Sequence, residues 1–138
     1  MPGGFSDFLE AMILRHIFIE DYSPGDLYLG LCTADPTETG TGAACFEVSN
    51  IGTNYARVLT EPGDWELGVT PGTVYSKEAI TFNIPSGDWG LLTYFVILDS
   101  GTYGEGNMLI YGPLVPEVEI LEGSVPRFSD GSMLIQLE

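Results

Sequence analysis

The sequence predicts a mainly β protein, a single β-sandwich or jelly-roll-like domain fronted by one short N-terminal α-helix. Three observations lead there. Apolar residues fall at helical spacing only near the N-terminus. From Leu27 onward they recur with a period of two in short runs, and 18 Gly and 9 Pro punctuate the chain between those runs. A length of 138 residues fits one domain, 1–138, with an N-terminal arm and helix over 1–22 and a β core over 27–138. A hydrophobic content of 44% and a mean hydropathy of +0.17 suit a chain that buries a core without disulfides or a metal.

The helix begins after Ser6, a good N-cap residue, with Asp7 and Glu10 in the first turn where negative charge suits the helix dipole. Phe5, Phe8, Leu9, Met12, Ile13, His16 and Ile17 follow the spacing of one apolar stripe, so this element is expected to bury a face. Tyr22-Ser23-Pro24-Gly25 ends it. Leu27 to Thr33 reads as the first strand of the core and Tyr55 to Leu59 as the next. Ile80, Phe82 and Ile84 alternate with Thr81 and Asn83, the pattern of a half-buried strand.

The stretch from Asp88 to Pro113 carries two apolar runs, Leu91 to Leu98 and Met108 to Tyr111, around a turn containing Gly101, Gly104 and Gly106. It predicts a β-hairpin buried on both faces. Val118 and Ile120 between Glu117 and Glu119 give another strand, and Met133, Ile135 and Leu137 a last one. Seven or eight short strands result. Segments 34–54 and 60–78 exceed ordinary connection lengths and read as loops available for function or subunit contacts.

Charge narrows the function. Twenty acidic residues face only Arg15, Arg57, Lys77 and Arg127, a formal net charge of −16. Such a surface repels phosphate backbones, so direct nucleic-acid binding is not expected. Any self-association must rest on apolar patches. No run approaches the roughly 18 apolar residues of a membrane span, and the N-terminus lacks the basic and apolar regions of a signal peptide. The expectation is an unprocessed protein made in a cytoplasm, without membrane contact.

The sequence offers little catalytic chemistry. There is no G-x-S-x-G, and Gly40-Thr41-Gly42 lacks the Lys-Ser/Thr of a phosphate loop. Acidic groups at Asp35 and Glu38, at Glu61, Asp64 and Glu66, and at Glu117, Glu119 and Glu122 match no calcium loop and read as a solvated surface. Cys32, Cys45 and the single His16 fall one ligand short of a four-ligand zinc site, and Cys32 reads as a small core residue. His16 reads as a core or interface histidine. No cofactor, metal or enzymatic activity is expected.

The candidate functional residues are therefore interface residues: Phe5, Phe8, Leu9, Met12, Ile13 and His16 on the helical stripe, with Arg57, Trp65 and Arg127. Arg57 and Arg127 are rare cations expected to pair with carboxylates, within the chain or across a subunit boundary. Trp65 lies in the loop-rich Glu61–Gly68 segment. Most other aromatics, Tyr28, Tyr55, Trp89, Tyr94 and Tyr111, fall at strand positions and read as core, although such residues also build sugar-stacking platforms.

Several segments together resemble a family of small tailed-bacteriophage virion proteins. They are Phe5-Ser6-Asp7, Leu27-Tyr28-Leu29-Gly30-Leu31, Thr33-Ala34-Asp35-Pro36, Gly40-Thr41-Gly42, Tyr55-Ala56-Arg57, Ile80-Thr81-Phe82, Asp88-Trp89-Gly90, Tyr111-Gly112 and the stretch from Phe128 to Leu137. Members are often labelled tail fibre proteins, and some are understood as capsid cement, or decoration, proteins. The resemblance covers nearly the whole chain and implies a non-enzymatic β-sandwich subunit. In the cement role it implies a homotrimer bound to the major capsid protein on the outer capsid surface of the virion. The alternative it implies is a tail fibre or receptor-binding protein contacting host glycan. A small hydrolase is a further rival that would require a cleft with perturbed carboxylates.

Overall fold

The computed structural model describes residues 4–129 and 134–136. In chain order the elements are β1 (Gly4–Phe5), α1 (Asp7–Phe18), β2 (Leu27–Cys32), β3 (Val58–Thr60), a 3-10 turn (Pro62–Asp64), β4 (Trp65–Leu67), β5 (Thr73–Ser76), β6 (Ile80–Thr81), β7 (Gly90–Leu98), β8 (Met108–Ile120), β9 (Arg127–Phe128) and β10 (Leu134–Gln136). The chain is mainly β with one helix, as its periodicities predict.

Strand pairing is antiparallel throughout the described residues. A five-stranded sheet runs β1-β8-β7-β2-β3, a three-stranded sheet runs β10-β5-β4, and β6 pairs with β9. The β7–β8 hairpin is the centre of the large sheet, and both its faces are covered. Leu29, Leu31, Phe95 and Ile97 share one core with Ile80, Phe82, Trp89 and Leu114, against which Trp65, Phe128 and Ile135 from the smaller sheets pack. Val96, Leu98 and Met108 point to the other face and pack with Cys32 and Cys45. This double burial explains why the hairpin lacks polar alternation.

Several boundaries differ from the sequence reading. The segment 60–78 is not a loop, because it holds the 3-10 turn, β4 and β5. β4 is only three residues long with Leu67 80% exposed, and Val69 in the turn after it is 104% exposed, so no clean burial alternation reveals these strands. Tyr55 precedes its expected strand, and pairing begins only at Val58, opposite Leu29. Ile84 is exposed, since pairing with β9 ends at Thr81. Val118 and Ile120 form no separate strand but continue β8, past a register shift that takes the pairing from Leu92↔Val118 to Tyr94↔Pro113. Pro113 and Pro116 have no N–H to donate, and prolines are tolerated in a sheet at such irregularities. Of the expected C-terminal strand, Leu134–Gln136 pairs with β5, while Ser132, Met133 and Leu137 lie outside the described residues.

Candidate interaction surfaces

Ser6 anchors the helix to the sheet. Its Oγ accepts from Leu9 N–H at 3.2 Å and donates to the Met108 carbonyl, while Ser6 N–H bonds Leu109 O at 2.8 Å. This is the expected N-cap, and it fixes where α1 starts. The first half of the helix then follows the predicted stripe: Leu9 is buried, Phe8, Met12 and Ile13 are half-buried, and Phe8 meets Tyr22 edge-on at 6.3 Å.

The second half does not. Ile17 is 64% exposed, and His16, also expected in the stripe, is exposed as well. The helix packs chiefly on β8 and β1, and twelve residues carry it beyond them. His16 Nδ1 accepts the Tyr22 N–H at 2.9 Å, so the ring acts as a C-terminal clasp on the turn after the helix. Leu14 and Phe18, four residues apart, stand on the side opposite Leu9. With Ile17 and Ile19 they make the helix end an apolar knob in water, 59–79% exposed. Reading a single stripe overlooked Leu14 and Phe18, whose apolar character off that stripe was the available signal.

A groove of about 570 Å³ opens between the large sheet and the three-stranded sheet. Its walls include Phe5, Trp65, Leu67, Ile97 and Ile110, with Asp26 and Glu61 also lining it. Thus Phe5 and Trp65, two of the predicted interface residues, come together here, although Trp65 sits in β4 and not in a loop. The Trp65 indole N–H is buried without an acceptor among the described residues.

Arg57 lies elsewhere. Its guanidinium is fully buried and forks the Glu47 carboxylate, with Nη2–Oε1 at 2.8 Å and Nε–Oε2 at 3.0 Å. It also donates to the carbonyls of Ser100, Glu105 and Gly42 at 2.8, 2.9 and 3.1 Å. The carboxylate expected for Arg57 is therefore one of its own chain, and every donor direction is used internally. Tyr55 completes this node: its hydroxyl accepts the Leu31 N–H at 3.0 Å and donates to Glu47 Oε2. Gly30 beneath them has no room for a Cβ, which would lie 2.9 Å from Glu47 Oε2 and 3.0 Å from the Tyr55 hydroxyl. Arg127 is exposed on β9, in register with Thr81.

Tyr55 and Trp89, each 4% exposed, meet edge-on at 5.2 Å within a cluster with Phe82, Tyr103 and Phe128, so they serve the core. Several acidic residues have local structural roles. Asp64 Oδ2 accepts the Glu61 N–H at 2.7 Å, and Glu66 accepts the Tyr75 hydroxyl at 3.0 Å. Asp7, Glu10 and Glu38 come within 4.8 Å of one another, exposed at the helix N-terminus where the dipole favours negative charge. No helix among the described residues is long and apolar enough to cross a membrane.

The chain is a mainly β subunit with an exposed apolar helix end and an apolar inter-sheet groove under a strongly acidic composition. Its family is a phage one. The model of the family described as Podophage GP4 fiber I protein gp80 matches residues 4–136, and the chain belongs to that family of phage virion structural proteins. No curated protein sequence matches the chain.

Proposed function

We propose that this chain is a non-enzymatic accessory subunit on the exterior of a tailed-phage particle, a fibre-type component that docks through apolar surface and leaves its acidic surface to solvent. The observation that carries this reading is the exposed helix end Leu14-Ile17-Phe18-Ile19, an apolar patch in a chain of net charge −16. The family's fibre description supports a place among the particle's appendages.

A second reading is a head cement protein, a homotrimer bound to the major capsid protein. The acidity favours it, because a charge of −16 suits the outside of a shell and opposes contact with packaged DNA. A subunit that binds only the assembled lattice would stabilise it by mass action, and multivalent attachment would add weak contacts through effective concentration. Cryo-EM of the particle, with gold-labelled antibody against this chain, tests both. Label confined to tail, collar or fibres is the outcome expected for the fibre reading, and label over the whole head that for cement. Absence from purified virions would overturn both.

A further inference from the structure

We propose that Cys32 and Cys45 form a modification site, a dithiol that hydrogen peroxide converts to an intramolecular disulfide, locking the 42–47 loop onto β2. Both thiols are free, and they are buried together with Val96, Leu98 and Met108. Backbone bonds on either side of Cys32 set their approach: Val48 N–H donates to Leu31 O at 3.0 Å, and Thr33 N–H donates to Phe46 O at 2.9 Å. Cys32 therefore lies opposite Glu47 in an antiparallel bridge, and Cys45, two residues before Glu47, meets it thiol to thiol.

The two sulfurs are not equivalent. Cys45 lines a cleft of about 370 Å³ between its own loop and Tyr103-Gly104, and Cys32 does not, so Cys45 is the sulfur an incoming reagent meets first. The hydrogen bond with Cys32 lowers Cys45 and raises Cys32, and the Arg57 guanidinium adds to the lowering at Cys45, so the thiolate is favoured on the same atom. Cys45 is only 1% exposed. The oxidant must therefore be small, and hydrogen peroxide qualifies where a bulky aromatic disulfide does not.

In the first step Cys45 Sγ attacks one peroxide oxygen: an S–O bond forms, the O–O bond breaks, and the departing hydroxide leaves with the Cys45 proton as water. In the second, Cys32 Sγ attacks the sulfenic sulfur of Cys45: the S–S bond forms, the S–O bond breaks, and hydroxide leaves with the Cys32 proton as a second water. Two thiols lose two electrons, and one peroxide gains them. The bridge closes a loop in the unfolded chain, so the oxidised subunit resists unfolding more than the reduced one. Bridging after release from a reducing cytoplasm would rest on the proposed place outside the particle, whereas the chemistry belongs to the isolated subunit and fails separately from the particle labelling.

The test treats the reduced, purified full chain with about 0.1 mM hydrogen peroxide at about pH 7.5 and stops the reaction with catalase. Thiols counted in denaturant should fall from two to none, a non-reducing peptide map should join Cys32 to Cys45 within a monomer, and a dithiol reductant should restore both. Counting thiols separates this reaction from oxidation of the four methionines. The denaturation midpoint of the bridged protein should exceed that of the reduced one. Cys32→Ser should stop at a Cys45 sulfenic acid that dimedone traps, and Cys45→Ser should slow oxidation of the remaining thiol at least about 10-fold. Two thiols surviving in the wild type, oxidation to sulfinic acid without a bridge, a bridge between copies, or an unchanged midpoint would each overturn the proposal, and none of these four readouts needs either variant to fold.

Discussion

Arg57 and Glu47 form a forked ion pair inside the protein, with side chains 0% and 4% exposed. The two residues stand ten positions apart, but the pair reaches further than either segment. Through the carbonyls of Gly42, Ser100 and Glu105 the same guanidinium ties the 42–47 loop to the turn joining β7 and β8. A buried ion pair is weak evidence of net stabilisation, because desolvating both charges offsets much of their attraction. Its structural consequence is clearer: it joins three irregular segments that have no sheet of their own.

Removing one partner should therefore be costly. Arg57→Ala leaves the Glu47 carboxylate buried without its cation and three carbonyls without their donor, and is expected to lose about 3–5 kcal/mol in denaturant unfolding. Arg57→Lys should recover only part, since one ammonium cannot fork the carboxylate and also reach Gly42, Ser100 and Glu105. A loss below about 1 kcal/mol for Arg57→Ala would show that the node is not structural.

Gly42 tests the same node from the backbone. A Cβ there would stand 2.0 Å from the Glu105 carbonyl oxygen, a backbone atom that cannot turn aside. Gly42→Ala should push the 42–47 loop off the hairpin turn, lengthen the Arg57 contacts and cost at least about 2 kcal/mol. Gly63→Ala, at a position where a Cβ meets nothing within 4 Å, is the control and should be near neutral.

The node was hidden in the sequence, although the elements it ties were not. The β7–β8 hairpin and the Ser6 cap are local patterns, set by neighbouring residues, and they stand where the sequence predicts. The partner of Arg57 depends on the bridge between Cys32 and Glu47, a long-range pairing with no periodicity to announce it. His16 shows a different failure: helical spacing gives the direction in which a side chain points, but not whether the sheet extends far enough to meet it. The groove is less legible still, being a gap between two sheets and not a property of any segment. Of its walls, only Phe5 and Trp65 stand among the interface residues that the sequence predicts.

Alkaline pH should weaken the fold through Tyr55. Burial, and then the nearby Glu47 charge, hold this phenol well above the ordinary tyrosine value of about 10. Below pH 10 the folded and unfolded chains both keep the proton, and the contribution of Tyr55 is intact. As pH rises past 10 the unfolded chain releases a proton that the folded chain retains, so stability falls. Tyr22, Tyr94, Tyr103 and Tyr111 are shifted in the same direction. The denaturation midpoint should thus decline above about pH 10. Tyr55→Phe should flatten part of that decline while costing about 1–3 kcal/mol at neutral pH, because the Leu31 N–H loses its acceptor and Glu47 a donor. A midpoint independent of pH between 9 and 11 would refute the assignment.

Cys32 and Cys45 report on the same loop from its other side. Both are free, 0% and 1% exposed, and packed with Val96, Leu98 and Met108. The hydrogen bond between the two thiols, together with burial, raises Cys32 above its ordinary range and lowers Cys45, so the protection of Cys45 rests on its burial rather than on a scarcity of thiolate. In the native protein at pH 8 an aromatic disulfide reagent should leave both thiols unmodified, and in denaturant it should modify two. Because Cys45 rides on the loop that Arg57 holds, Arg57→Ala should lower the cost of local opening and accelerate native-state labelling of Cys45. If about 3 kcal/mol of the node's loss falls on that opening, the acceleration is on the order of 100-fold. Rapid labelling of the unmodified protein would contradict the burial. An Arg57→Ala variant that loses stability but labels no faster would show that the ion pair secures the hairpin turn and leaves the 42–47 loop to be held by the Cys32–Glu47 bridge.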